Sequence, residues 1–160
     1  FIKFGVPADK TDEAIKVFRS RYTTVGKFEN FPYPGVADML QSLKEQGHRL
    51  FVATSKPEVM AIEVLRHFDL DGYFEQIAGA TLDGSRSHKA DVITYLLEQA
   101  GAVGNTIMVG DTAFDVLGAA SHGIPTIGVS WGYGKVEAMV EAGAIAIAHT
   151  MDELLAIINQ

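Results

Sequence analysis

The apolar positions of the first thirty residues follow one helical stripe. Ile15, Phe18 and Tyr22 recur at spacings of three and four, with Lys16, Arg19 and Arg21 between them, which predicts an amphipathic helix over residues 12–22. Asn30-Phe31-Pro32-Tyr33-Pro34-Gly35 cannot prolong it, because proline lacks the amide donor and glycine favours a turn. This stretch is expected to be a hinge between a small helical piece, residues 1–30, and a main domain, residues 31–160.

Beyond the hinge, short apolar runs alternate with amphipathic stripes. Runs at 49–53, 76–78, 106–109, 125–129 and 144–148 read as strands, the clearest of them buried on both faces. Stripes at 36–46, 57–68, 89–99, 112–121, 136–141 and 152–158 read as helices. Val59, Ile62 and Leu65 mark one such face, and Val92, Ile93, Leu96 and Leu97 another. Alternating strands and helices imply an α/β fold: a doubly wound, mostly parallel sheet covered on both faces. Ligands of such sheets bind beyond the carboxyl ends of the strands, so the residues that follow each strand carry the functional information.

Composition narrows the classes. The 160 residues are 48% hydrophobic and 21% charged, which places the chain among globular domains. A net charge of −7, with no Lys/Arg cluster, argues against nucleic-acid partners. Cysteine is absent, which excludes disulfides, thiolate zinc sites and a cysteine nucleophile. No apolar run reaches the ~18 residues that span a bilayer, and no signal peptide opens the chain. A cytoplasmic domain without a membrane partner is the expectation.

Three strand ends and helix starts carry candidate chemistry. Thr54-Ser55-Lys56-Pro57-Glu58 places hydroxyls and free amides where an anion would sit, although Ser55 and Glu58 also have the spacing of a helix capping box. Lys89 falls in the first turn of its helix, where the dipole disfavours a cation and an anionic partner would compensate; an ordinary solvated lysine is the plainer reading. Asp111 and Asp115 lie four residues apart, so their carboxylates share one helical face and repel unless a metal ion or a lysine stands between them. A helix N-cap would account for Asp111, and solvation for Asp115. Trp131-Gly132-Tyr133-Gly134 is a flexible loop without the spacing of a dinucleotide fingerprint, and no P-loop motif occurs.

Taken in order, hydroxyl, lysine and carboxylate pair make a set that resembles the haloacid dehalogenase superfamily, specifically its phosphoglycolate-phosphatase-like branch. Val52-Ala53-Thr54-Ser55-Lys56-Pro57 resembles the second motif of that family, Lys89 the third, and Val109-Gly110-Asp111-Thr112-Ala113-Phe114-Asp115 the fourth. Tyr33-Pro34-Gly35 and Trp131-Gly132-Tyr133-Gly134 also resemble this branch, and residues 1–30 resemble the later helices of its small cap. The resemblance implies a Rossmann-like core and Mg²⁺-dependent hydrolysis of a small phosphorylated metabolite through an aspartyl-phosphate. It further implies that Thr54 and the Ser55 amide bind the transferring phosphoryl group, that Lys89 neutralises charge, that Asp111 binds Mg²⁺, and that Asp115 holds a metal water or Lys89.

One departure is large. The family's first motif, an Asp-x-Asp strand that supplies the nucleophile, has no counterpart ahead of the cap residues. Asp69-Leu70-Asp71 imitates it, but the preceding Val64-Leu65-Arg66-His67 continues a helical period, so this pair is not the nucleophile. The strand belongs in the middle of the sheet, and its absence would leave neighbouring backbone groups unpaired at roughly 1–3 kcal/mol each where buried. The expectation is therefore a C-terminal portion of a longer phosphatase, inactive alone or completed by another polypeptide. A non-catalytic anion-binding module of the same fold, a phosphomutase and a receiver-like signalling domain are the competing readings; substrate and oligomeric state are not legible.

Overall fold

Residues 2–101 and 104–160 are described in a computed structural model of the chain. Two compact units divide at Pro32 and Tyr33, inside the expected hinge. In the first, α1 (Thr11–Tyr22) is flanked by single 3-10 turns at Ala8–Lys10 and Gly26–Phe28. Phe18 stacks on Tyr22 one turn later, and Arg21 forks onto both carboxylate oxygens of Glu29.

The second unit is the α/β body. Its elements run α2 (Val36–Glu45), β1 (Phe51–Pro57), α3 (Glu58–His67), β2 (Gln76–Ala80), α4 (Lys89–Ala100), β3 (Met108–Gly110), α5 (Ala113–Ala120), β4 (Thr126–Val129), α6 (Val136–Glu141), β5 (Ala146–Ala148) and α7 (Met151–Ile158). All the pairings are parallel, as the alternation of strands and helices requires. Ile127, Val129, Ala148 and Leu154 form one core cluster, and Ala78, Val92 and Leu96 a second.

The sheet comes in two pieces. β1 pairs with β2, and β3 pairs with β4, which pairs with β5; among the described residues β1 and β3 have no further strand partner. Both free edges border a single cavity of about 600 Å³. Phe51, Val52 and Ala53 line one side and Ile107, Met108 and Val109 the other, with Leu40 and Leu43 of α2, Leu96 of α4 and Leu154 of α7 closing it. Its apolar walls leave Val109 40% exposed in the middle of a strand.

Local differences from the sequence reading have physical causes. β1 runs on through Thr54–Pro57 because Pro57 rejoins the ladder opposite Ala80. The capping box expected at Ser55 is not formed: α3 starts without a side-chain cap, and the Glu58 carboxylate turns instead to Gly79 and Arg86. At Asp69 the backbone enters the left-handed region, with φ at 55°, and Asp71 starts a 3-10 turn while pairing with Arg66. Asp69 and Asp71 therefore belong to a helix-terminating turn and not to a buried strand.

Candidate functional site

The sequence-derived candidates meet at the carboxyl ends of β1 and β3. β1 leaves the ladder after Ala53, and three residues, Thr54, Ser55 and Lys56, stand opposite the single residue Gly79 before pairing resumes at Pro57. Such bulges re-aim side chains next to functional sites. The Thr54 hydroxyl accepts the Lys56 amide at 3.1 Å, which fixes the bulge and leaves the hydroxyl proton available to another acceptor.

Lys89 opens α4, and its ammonium is drawn inward. Nζ donates to the Ala53 carbonyl at 2.7 Å and lies 2.8 Å from Asp115 Oδ1. The helix start disfavours a cation there, and the pairing with Asp115 offsets this. Close approach makes the route possible: a Cβ on Gly118 would stand 2.5 Å from Lys89 Cγ.

Asp115 is buried, and both of its oxygens are used. Oδ2 accepts the Thr112 hydroxyl at 2.8 Å and the amides of Thr112 and Asp111 at 3.0 and 3.2 Å, while Oδ1 faces Lys89. Thr112, not Asp111, is the N-cap of α5, and it forms a capping box with Asp115. Of the two roles expected of Asp115, holding a metal water or holding Lys89, the second matches the contact at Oδ1.

Asp111 takes the other position. Its Oδ2 accepts the Tyr133 amide at 2.8 Å, so the glycine loop after β4 orients this carboxylate. Gly132 permits the approach, since a Cβ there would stand 2.3 Å from the same oxygen. Among the described residues, no group of three or more His, Asp or Glu side chains could hold a metal ion by itself. Mg²⁺ needs only one or two protein carboxylates, with waters and substrate oxygens completing its shell. Asp111 suits that role; the rest of a cation's shell would come from outside these residues.

Sequence reasoning missed Glu58 as anything but a cap, and it missed Arg86. The strand glycine at Gly79 was the available signal, because glycine inside a strand marks a bulge or close backbone approach.

Parallel strands with a hydroxyl, a lysine and two acidic residues gathered near their carboxyl ends place the chain among α/β proteins, and comparison with known proteins identifies the family. Residues 1–129 match the haloacid dehalogenase-like hydrolase family, and the chain belongs to it. It is 41% identical over 133 residues to a 5'-nucleotidase of Pseudomonas aeruginosa, covering 82% of this chain and 60% of that protein. It is 42% identical over 149 residues to the tyrosine-protein kinase PtkA of Mycobacterium tuberculosis, covering 91% and 51%. A phosphoglycolate phosphatase of Agrobacterium fabrum shares 35% identity over 137 residues, covering 85% and 58%. Among solved structures, a "predicted phosphatase" from Clostridium acetobutylicum superposes with a TM-score of 0.89 at 40% identity, over 98% of this chain and 73% of that one. The chain thus spans between 51% and 60% of the length of these curated relatives.

Proposed function

We propose that the protein carrying this chain is a phosphatase of small phosphate monoesters, dependent on Mg²⁺, with phosphoglycolate-like metabolites as the substrate class. One observation carries the reading: the cavity between β1 and β3 is bordered by two strand edges, Thr54 and Asp111 lie toward their carboxyl ends, and Lys89 reaches from the start of α4 to the Ala53 carbonyl. A parallel strand seated there would need about 4.8 Å to each neighbour to pair on both sides. Its carboxyl end would meet the Lys89 ammonium, the position of a nucleophilic carboxylate in an Asp-x-Asp segment.

In this reading the Thr54 hydroxyl and the Ser55 amide donate to the phosphoryl oxygens. Lys89, held by Asp115, offsets charge on those oxygens and on the attacking carboxylate. That carboxylate would form a bond to phosphorus as the P–O ester bond breaks, the leaving oxygen taking a proton from the second acid of the Asp-x-Asp segment. Water, giving a proton back to that acid, would then attack phosphorus and release phosphate and the free carboxylate. Asp111 would hold Mg²⁺, which would supply positive charge to the transferring group. Positioning and charge neutralisation are most of what phosphoryl transfer asks of a protein.

Phosphate release from phosphoglycolate and a nucleoside 5'-monophosphate, assayed with and without Mg²⁺, tests the proposal. The comparison is between this chain alone and a protein that includes an Asp-x-Asp strand ahead of it. Mg²⁺-dependent turnover only in the latter is expected. Absence of turnover in both would favour the non-catalytic reading.

A further inference from the structure

We propose that Glu58 and Arg86 are positioning residues that hold the phosphate-binding bulge of β1 and the start of α4 in register; this rests on the phosphatase reading above. The bulge leaves Gly79 of β2 facing three residues at once. Two side chains bond its amide and carbonyl. Glu58 Oε2 accepts the Gly79 amide at 3.1 Å, and Arg86 Nε donates to the Gly79 carbonyl at 2.8 Å. The pair closes on itself, Arg86 Nη2 donating to Glu58 Oε2 at 2.6 Å.

The bridge joins the two segments that reach the phosphoryl group. Glu58 follows the bulge by two residues, and Arg86 precedes Lys89 by three. Tyr95 of α4 lies under the Arg86 guanidinium, 3.7 Å from its centre, which fixes the plane of the fork. Gly79 admits the bulge closely, for a Cβ there would stand 2.5 Å from the Lys56 carbonyl oxygen. Arg86 and Glu58 are only 15% and 28% exposed, so the bridge is partly shielded from solvent. Lysine is a poor replacement, because arginine serves Gly79 and Glu58 from two nitrogens of one rigid plane stacked on Tyr95.

The test uses the full-length protein, with inorganic phosphate as the probe. Amide exchange at Gly79 reports the bridge, and the phosphate-induced shift of the Ser55 amide reports the site. In Arg86→Lys and Glu58→Ala, Gly79 exchange is expected to quicken, and phosphate affinity to fall about tenfold in protein that remains folded, as small misplacement of binding groups would cause. Glu58→Ala stands in if Arg86→Lys does not fold, and Arg66→Lys, which alters a different exposed ion pair, should leave both readouts unchanged. Unchanged Gly79 exchange would overturn the bridge. Faster exchange with unchanged phosphate affinity would reduce it to support of the fold and overturn the positioning role. Failure of the unaltered protein to bind phosphate at Ser55 would instead sink the phosphatase reading, and the positioning role with it, whatever Gly79 does.

Discussion

Lys89 Nζ lies 2.8 Å from Asp115 Oδ1, and the same ammonium donates to the carbonyl of Ala53. One cation therefore ties α5, on the β3 side of the cavity, to β1 on the other. The two side chains are only 12% and 9% exposed, so the pair is a buried one. Its value lies in placement: the lysine stands at the open end of the gap in the sheet, where the proposed phosphoryl transfer needs positive charge.

Replacing Lys89 by Met keeps its length and removes the charge. Asp115 would keep its amide and hydroxyl donors but lose its counter-ion, so unfolding free energy should fall by about 3 kcal/mol, the lower end for a broken buried pair. Mg²⁺-dependent turnover of the full-length enzyme should fall by roughly a hundredfold or more, since a preorganised charge is lost. Denaturant titration and a phosphate-release assay read the two effects separately. Unchanged turnover would remove Lys89 from the site.

Asp111→Asn should separate metal dependence from stability. Asparagine can still accept the Tyr133 amide through its side-chain oxygen, so the melting temperature should move little. Turnover should drop by orders of magnitude, and the Mg²⁺ concentration for half-maximal activity should rise. Asp69→Asn should leave turnover untouched, because Asp69 sits in a turn after α3. A collapse of activity in Asp69→Asn would reverse the assignment of the acidic groups.

Thr126 offers a test of packing. Its hydroxyl is buried in β4 and finds no hydrogen-bond partner among the described residues. Thr126→Val keeps the shape and removes the orphaned polar group, so stability should rise by about 1 kcal/mol. Calorimetry decides it, and a lower melting temperature would mean that the hydroxyl has a partner.

Acid should loosen the loop between β2 and α4. Hydrogen bonds from Thr81, and from the amide and hydroxyl of Ser85, hold the Asp83 carboxyl down from an ordinary value of 3.8 to about 2. A carboxyl depressed in the folded state contributes stability that is complete above its unfolded value and is lost as pH falls through the folded one. The window is thus from 3.8 down to about 2. The Ser85 amide, which donates to Asp83 Oδ1, should titrate near the lower limit by NMR, and Asp83→Asn should abolish that transition. A midpoint near 3.8 would show that the loop does not hold the carboxylate.

Much of this protein was legible in its linear order. The two-period alternation after Gly35 determined a parallel α/β body, because each period permits only one way of burying an apolar face. Thr54, Lys89, Asp111 and Asp115 stood out as a set through their order along the chain and its resemblance to a known family, since Lys89 and Asp115 taken singly read as solvated groups. What the linear order left open was partnership. Asp115 could have served a solvent shell, a metal or a lysine, and the close packing at Gly118 is what brings the Lys89 stem beside it. Glu58 had the spacing of a cap, yet α3 starts without one and the Glu58 carboxylate meets the Gly79 amide and Arg86 instead. Local sequence sets which groups each segment offers; which of them meet depends on long-range register, and that only the tertiary structure decides.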